Sequence, residues 1–372
     1  MNTQKIVQFV KNEAVLCAAL FLALISMIVV KPDREYLEYI DYRTLALLFC
    51  LMSLMAGFQK LGVFSRIGCT LLGMAKSGRQ LAAILVGLCF FSSMLVTNDV
   101  ALITFVPFAI TVLQIAALEE LLLPVVVLQT IAANLGSMLT PIGNPQNLYL
   151  YSQAGMGAGA FVLLMLPYSV LSLVLLALCL LKIRPTRIRS FTMTQENGPL
   201  DKKRVLLYTA LFLLSVLAVA RVLPWQALLV IVTVCLALAD KGIFRQVDYS
   251  LLLTFCGFFV FIGNVGRLPA FGAMLGGMLT GREVLVSIGA SQVISNVPAA
   301  LLLSGFTKQY RELIIGTNLG GLGTLIASMA SLISYKYIVR CAPQQKGRYF
   351  GIFTLGNIAF LICLGALYWV LP

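Results

Sequence analysis

The sequence predicts an all-α polytopic membrane protein that is built from two related halves. Of its 372 residues, 60% are hydrophobic and only 11% are charged, and the mean hydropathy is +0.96. A soluble surface cannot cover so many apolar side chains, so the chain must lie largely within a bilayer. The two halves are indicated by a repeat, because the Asn-Leu-Gly segment that begins at Asn134 returns at Asn318.

Apolar runs that are long enough to form membrane-spanning helices occur along the whole chain. A helix needs about 17 to 25 residues to cross a hydrocarbon core of ~30 Å. Some runs are shorter and lie beside Gly, Pro or Asn, which predicts interrupted or re-entrant helices whose free backbone groups face protein or a wet cavity. We expect about nine to eleven membrane segments in total. The clearest runs are 14–30, 44–57, 121–133, 160–181, 205–220, 225–239, 251–262 and 350–370.

The basic residues indicate how the chain is oriented in the membrane. The formal net charge is +13, and most Lys and Arg residues lie in short loops, as the positive-inside rule predicts for cytoplasmic loops. We place the most basic loop, 182–204, in the cytoplasm as the linker between the halves. The first run is followed by Lys31 and Pro32, not by a small-residue cleavage site, so we expect it to stay as a helix. These features predict a multi-pass protein of the cell membrane, as in a bacterial inner membrane, whose partner is the lipid bilayer and not nucleic acid.

Cysteine and histidine usage argues against an enzyme. The nine cysteines are scattered, mostly within apolar runs, and the chain has no histidine. A disulfide framework or a transition-metal cluster is therefore not predicted, and the commonest catalytic base is missing. We predict no catalytic residue and no cofactor, with sodium as a candidate coupling ion.

The repeat extends well beyond the Asn-Leu-Gly segment. In the 15-residue windows that start at Asn134 and Asn318, six positions are identical. Upstream, an Asp-Tyr pair at 41–42 returns at 248–249, and a pattern of hydroxyl, hydroxyl and Asn at 93–98 returns at 291–296 with the same spacing. Because the order is the same in both halves, we predict an internal duplication. The basic linker between the halves favours an inverted pair of repeats.

These features divide the chain into five predicted segments, each of the two repeats having a hairpin tip and a broken helix. The segments are an N-terminal transmembrane helix and connector (1–40), the first repeat (41–159, tip near 97–99, broken helix near 136–147), connecting transmembrane helices with the basic loop (160–247), the second repeat (248–338, tip near 295–297, broken helix near 320–331) and a C-terminal transmembrane helix (339–372).

Polar residues at the predicted breaks supply the oxygen atoms that a small cation needs. Hydroxyls, amides and free carbonyls can surround sodium without burying a net charge. We therefore predict one sodium site in each half. The first would use Ser93, Thr97, Asn98 and the carbonyls near Gly136, and its counterpart would use Ser291, Ser295, Asn296 and the carbonyls near Gly320.

The stretch 140–147 is the strongest break in the chain. Its two prolines remove two helical hydrogen-bond donors, and its glycine allows conformations that are closed to other residues. A simple external turn is the alternative, but the matching stretch 324–334 keeps small and hydroxyl residues, which favours paired sites. Helix N-termini freed by such breaks suit an anionic substrate. The predicted substrate-binding residues are Thr97, Asn98, Asp99, Asn144, Pro145, Asn147, Ser295, Asn296, Ser328 and Ser331.

Asp99 is an acidic residue that directly precedes the apolar run 100–110. An acid in a membrane segment costs about 2.5 to 3.5 kcal/mol on insertion, so we expect it to face a cavity and to have a function. It could ligate a cation, carry a coupling proton, or accept hydrogen bonds from a hairpin backbone. The second half has Val297 at the matching position, so the acid belongs to one site only.

With these motifs the sequence resembles the ion-transporter superfamily, which includes citrate-type permeases, arsenite-efflux permeases, sodium/proton antiporters and divalent-anion/sodium symporters. The resemblance covers roughly residues 41–334 and rests on Thr97-Asn98-Asp99 and on the segment 140–147. It implies two inverted repeats, each with a re-entrant hairpin whose tip carries the Asn motif and an unwound helix that carries the Gly-rich motif. It also implies an elevator-like movement driven by an ion gradient and, as in elevator-type relatives, a homodimer.

The third residue of each tip separates branches of this superfamily. Divalent-anion symporters usually have Ser-Asn-Thr at both tips, whereas this chain has Asp99 and Val297 at the third position. The Asn-Asp form resembles the arsenite-efflux and sodium/proton branches more closely. We expect a secondary transporter of a small inorganic or organic anion, a carboxylate such as citrate or an oxyanion, coupled to sodium or protons. The alternative is a sodium/proton antiporter or an arsenite-efflux permease in which Asp99 is the titrating or cation-binding group.

Overall fold

The computed structural model describes residues 13–186, 200–268 and 276–371. Within these ranges the chain is helical and has no strand, which confirms the all-α prediction. Most of the predicted basic loop 182–204 lies outside the described residues. The main helices are α1 (Ala14–Val29), α2 (Tyr42–Lys60), α3 (Val63–Leu72), α4 (Gly78–Ser92), α5 (Asn98–Ile115), α6 (Leu122–Ser137), α7 (Pro145–Ala154), α8 (Ala158–Leu181), α9 (Lys202–Val219), α10 (Trp225–Ala239), α11 (Tyr249–Gly266), α12 (Glu283–Ile294), α13 (Asn296–Ser304), α14 (Tyr310–Leu319), α15 (Met329–Cys341) and α16 (Lys346–Val370).

Six helices in the described part of the chain are long and apolar enough to cross a membrane. They are α2, α5, α8 and α11, together with α6 and α16 when the short turn before each is included. Five shorter apolar helices accompany them: α1, α3, α4, α10 and α12. Every apolar run predicted above lies in a helix to within one residue at its ends. The chain is therefore a multi-pass membrane protein, and the total of nine to eleven segments stays a prediction.

The first half contains a helical hairpin followed by a broken helix. Helices α4 and α5 pack against each other and are joined by residues 93–97. Helix α6 packs on both of them and ends at Ser137. The next residues, 138–144, are not helical, and α7 begins at Pro145, a position where the missing proline N–H breaks no helical hydrogen bond. The break thus begins slightly later than the predicted 136–147.

The second half repeats this order of elements. Helices α12 and α13 form the second hairpin and are joined at Ser295. Helix α14 packs on both, residues 320–328 are not helical, and α15 begins at Met329. Ser331, which was placed within the predicted break at 320–331, therefore lies in the first turn of α15.

Equivalent side chains make equivalent contacts in the two halves. Thr324 Oγ1 donates a hydrogen bond to the Gln292 carbonyl (3.2 Å), and Thr140 Oγ1 donates to the Met94 carbonyl. An aspartate caps α2 and α11 alike: Asp41 accepts from the Thr44 N–H (3.0 Å), and Asp248 accepts from the Leu251 N–H (2.9 Å). Matching contacts thus occur at matching positions of the two halves. The inverted repeats and the domain boundaries given above stay predictions.

An ion pair between Lys60, the last residue of α2, and Asp240, which follows α10 outside the membrane-spanning helices, fixes the ends of these two helices to each other. Lys60 Nζ lies 2.5 Å from Asp240 Oδ2, and Arg204 at the start of α9 lies 3.8 Å from the same oxygen. The hydrogen bond from Lys60 holds the pKa of Asp240 below its usual value of 3.8. The charged carboxylate is therefore favoured in the folded state.

This ion pair should make stability depend on acidity. The contribution of Asp240 is fully present above the usual, unfolded pKa of 3.8 and is lost as the pH falls through the lower, folded pKa. We expect the wild-type melting temperature in detergent to fall more steeply below about pH 4 than that of Asp240→Asn. Glu38→Gln, a change at an exposed carboxyl group, should follow the wild-type curve. Parallel curves for the wild type and Asp240→Asn would contradict this expectation.

Candidate functional site

A network of buried side chains centred on Asn134 joins the two halves. Asn134 lies near the end of α6, and its Oδ1 accepts hydrogen bonds from Asn98 Nδ2 in the first hairpin (2.9 Å) and from Ser328 Oγ in the second break (3.0 Å). Its Nδ2 donates to Ser331 Oγ (3.3 Å) and to the Gly321 carbonyl (3.5 Å). One amide thus brings together three of the predicted site residues, from both halves of the chain.

Asn318 is the counterpart of Asn134 in the second half. Its Nδ2 donates to Asn147 Oδ1 on α7 (2.7 Å). Asn147 Nδ2 in turn points to the Ser137 carbonyl (3.3 Å), which is free because α6 ends there. Asn147 and Ser331 each lie 13 residues after the first Asn of their repeat copy. The two contacts across the halves are therefore equivalent, although the first half uses a second amide where the other uses a hydroxyl.

Two adjoining cavities lie beside this network, with volumes of about 170 and 60 Å³. Asp99 and Asp248 line both of them. The first turns of four helices also reach their walls, and the start of a helix carries partial positive charge. The residues concerned are Thr97 and Asp99 at the start of α5, Pro145 at the start of α7, Val297 and Pro298 at the start of α13, and Met329 at the start of α15.

Acidic side chains line the walls of both cavities. Asp99 Oδ1 is buried and has no hydrogen-bond partner, while the Asp99 N–H donates to Asn98 Oδ1 (2.9 Å). Asp248 uses one oxygen to cap α11 and faces the same space. Glu13 lines the smaller cavity, and no Lys or Arg lines either one within the described part of the chain. A cation or a proton can therefore be held here by carboxylate oxygens.

Several buried amide atoms near the first break have no hydrogen-bond partner. They include Asn144 Oδ1, Asn318 Oδ1 and both polar atoms of the Gln146 side chain, and these three residues are at most 3% exposed. Asn144 Nδ2 donates to Ser137 Oγ (2.5 Å), so its amide is fixed with Oδ1 unused. Buried polar groups without partners are costly, and they are a reason to expect a water, an ion or a substrate group at this place.

The predicted sodium ligands Ser93 and Ser291 have a packing role in the structure. An ideal Cβ on Gly136 would lie 2.5 Å from Ser93 Oγ, and one on Gly320 would lie 2.5 Å from Ser291 Oγ. In both halves a serine of the hairpin thus packs directly against a glycine of the broken helix. Each hydroxyl also donates to a carbonyl of its own helix, from Ser93 to Phe90 at 2.9 Å and from Ser291 at 2.7 Å.

The carbonyls of Gly136 and Gly320 were predicted to be free in unwound segments, and the structure shows both of them hydrogen-bonded. Gly136 lies within the last turn of α6 and its carbonyl accepts from the Leu139 N–H (3.2 Å), so it is not a free carbonyl of an unwound segment. Gly320 caps α14 with a helical backbone, and its carbonyl accepts from Gln292 Nε2 (3.0 Å). The helices persist to these glycines because α4 and α12 pack directly on them.

The tips of the two hairpins have different backbones. Thr97 has an ordinary extended conformation, whereas Ser295 has φ 73° and ψ 154°, a region that residues other than glycine rarely adopt. The Asn296 N–H donates to the Ala327 carbonyl (3.0 Å), which holds the second tip against the second break. The predicted residues Ser295 and Asn296 therefore touch the break of their own half.

Gln292 holds the backbone of the second break. Its Nε2 donates to the carbonyls of Gly320 and Leu322 (3.0 Å each), and its Oε1 accepts from the Thr324 N–H (2.9 Å). A single side chain thus satisfies backbone groups that the unwound segment leaves free. The equivalent residue of the first half is Met94, which has no such groups.

Replacing Gln292 with methionine should destabilise the protein by about 1 to 3 kcal/mol, because buried backbone groups would lose their partners. Chemical denaturation of the purified protein in detergent would measure the change. The matched control is Gln114→Met, the same substitution at an exposed position of α5. Equal stability of the two variants would contradict the role assigned to Gln292.

Residues of this site that were not predicted from the sequence include Asp248, Asn134, Asn318 and Gln292. Asp248 belongs to the repeated Asp-Tyr pair, and Asn134 opens the repeated Asn-Leu-Gly segment, so both carried a sequence signal that was assigned to the repeat alone. Gln292 carried no sequence signal, because only the fold brings this side chain to the break 28 residues further along the chain.

Membrane-spanning helices, paired breaks and a polar network between two halves define a membrane transporter and not an enzyme. The chain belongs to the CitMHS family, described as citrate transporter, which residues 7–310 match.

Three relatives are similar to this chain, and two of them are named transporters. Inner membrane protein YbiR of Escherichia coli (strain K12) is 32% identical over 319 residues, 84% of each chain. Uncharacterized transporter MJ0456 of Methanocaldococcus jannaschii is 29% identical over 359 residues, 93% of this chain and 95% of the relative. Silicon efflux transporter LSI3 of Oryza sativa subsp. japonica is 33% identical over 140 residues, which are 37% of this chain and 28% of the relative.

Proposed function

We propose that this permease moves a small anion, a carboxylate such as citrate or an oxyanion, across the cell membrane by alternating access, coupled to sodium or protons. The main support for this proposal is that four helices begin at the walls of the two cavities beside the Asn134 network. The partial positive charge at such helix starts attracts an anion. The family description as citrate transporter supports an anionic substrate.

The carboxylates on the same walls support coupling to a cation. An anion that enters beside Asp99 and Asp248 would meet two negative charges and no Lys or Arg among the described lining residues. Binding of a proton or a sodium ion there would remove the repulsion. Substrate and cation would then favour each other's binding, which is the thermodynamic basis of coupled transport.

The sodium ligands remain a proposal in both halves. Thr97, Asn98, Ser295 and Asn296 keep oxygen atoms close to the breaks, whereas Ser93 and Ser291 pack on glycines. The unpartnered amide oxygens of Asn144 and Asn318 are further candidates. They are neutral oxygen ligands of the kind that a buried sodium ion needs.

The acidic walls also favour a second candidate function. With carboxylates and no basic side chain described on the cavity walls, Asp99 can serve as the titrating group of a sodium/proton antiporter or of an efflux permease for arsenite. A relative named silicon efflux transporter supports the efflux direction.

A flux assay in proteoliposomes separates these functions. Uptake of labelled citrate or another carboxylate that requires an inward sodium or proton gradient would support anion transport. Sodium-driven proton movement without any added anion would support the antiporter, and proton-driven release of arsenite would support the efflux permease. If protein-containing vesicles behaved as empty ones for all of these solutes and gradients, both candidates would be rejected.

A further inference from the structure

A separate crevice of about 690 Å³ lies where α8, α14 and α16 meet, away from the candidate site. Helices α8 and α16 are both long and apolar enough to cross the membrane. The crevice lies at the start of α8 and the end of α16, so it is at the opposite end of α8 from Lys182 and the basic loop. With that loop in the cytoplasm, the crevice faces the outer leaflet.

Two adjacent and opposite charges line this crevice, Arg311 and Glu312 in the first turn of α14. Within the described residues neither of them forms an ion pair. Glu312 Oε2 is buried and has no hydrogen-bond partner. A buried carboxylate oxygen without a donor is unfavourable, so a ligand that brings a hydrogen-bond donor here would be bound strongly.

The remaining walls are apolar and aromatic. Tyr368 and Trp369, at the end of α16, have rings whose centroids are 5.6 Å apart, and Trp369 is 72% exposed. Such aromatic residues typically lie at the level of lipid headgroups. The apolar wall, which suits the start of an acyl chain, consists of Leu163, Leu164, Pro167, Ile315 and Leu371.

We infer that this crevice binds a phospholipid whose headgroup is zwitterionic and ends in a primary ammonium group. The phosphate is held by Arg311 and the free N–H groups of the first turn of α14, and the ammonium donates to Glu312. A trimethylammonium headgroup has no N–H to give to Glu312 Oε2, and an anionic glycerol headgroup brings no positive charge to it. The chemistry of the two side chains therefore selects phosphatidylethanolamine over phosphatidylcholine and phosphatidylglycerol.

Native mass spectrometry of the purified full-length protein tests this selection. The detergent-solubilised protein is mixed with equal amounts of the three dioleoyl lipids, and the bound lipids are counted. We expect phosphatidylethanolamine to be retained about tenfold more than phosphatidylcholine, because about tenfold is the ratio of affinities that one charge-assisted hydrogen bond gives.

Glu312→Gln should abolish this preference, and Arg311→Gln should reduce the retention of both lipids. The matched controls are Glu120→Gln and Arg348→Gln, the same changes in a small cavity beside the other end of α16, and both should behave as the wild type.

Three results would overturn the inference. They are equal retention of all three lipids by the wild type, an unchanged preference in Glu312→Gln, and displacement of the lipid by inorganic phosphate alone, which would indicate a free-phosphate site. The melting temperature of each variant in lipid-free detergent shows whether it is folded. If Glu312→Gln does not fold, the wild-type lipid ranking together with Arg311→Gln decides the question.

Discussion

Asp99→Asn is expected to lose ion-coupled transport while the protein stays folded and inserted. Asp99 lines both cavities and has a buried carboxylate oxygen without a protein partner. Asparagine keeps the shape of the side chain but can bind neither a proton nor a cation through a charge. Loss of one interaction with a charged group is worth about 1.5 to 3 kcal/mol, so coupled flux should fall by about tenfold to a hundredfold. Flux in proteoliposomes with and without the ion gradient measures the effect.

Two further variants give this experiment its controls. Asp248→Asn changes the second carboxylate of the same cavities and should also weaken coupling, because Asp248 lines both cavities together with Asp99. Glu38→Gln removes a carboxyl group at an exposed position outside the cavities and should leave flux unchanged. Full coupled flux in Asp99→Asn would show that its carboxylate has no part in coupling. Loss of flux in Glu38→Gln would show that the assay reports net charge and not the site.

The membrane helices and the repeated elements could be predicted because their causes are local. A run such as 160–181 is apolar throughout, and the fold confirms it as α8. Two prolines and a glycine within 141–145 together make a continuous helix unfavourable, and α6 and α7 are separate helices. The pairing of Asn motifs with Gly-rich segments followed from order and spacing alone.

The contacts of the site depend on which residues the fold brings together, and this information is not local. The pattern Ser93-x-x-x-Thr97-Asn98 resembled a set of cation ligands, but Ser93 packs on Gly136 while Asn98 bonds to Asn134. Serine and glycine are small residues as well as polar or flexible ones. A sequence pattern cannot tell which of these properties is used at a given position.

Gly136→Ala is expected to be among the most destabilising small substitutions in the chain. An ideal Cβ on Gly136 would lie 2.0 Å from the Phe90 carbonyl oxygen, a backbone atom of α4 that cannot rotate away. Helices α4 and α6 would have to separate, and overpacking of this kind costs about 1 to 3 kcal/mol or more. Melting of the purified protein in detergent measures the loss. Gly87→Ala is the matched control, because Gly87 lies inside α4 with nothing within 4 Å of the added Cβ, and alanine there should be neutral or stabilising.

Gly320→Ala tests the equivalent contact of the second half and should be destabilising by a smaller amount. There the added Cβ would lie 2.5 Å from Ser291 Oγ and 2.7 Å from Ser291 Cβ, so the obstacle includes a side chain. Ser291→Gly should therefore restore part of the stability of Gly320→Ala. Ser93→Gly should not rescue Gly136→Ala, because the Phe90 carbonyl remains in place. Rescue in both halves, or in neither, would contradict the packing role of these serines. Sodium stabilisation of the wild type that is lost in the single serine variants would instead assign these serines to a cation site.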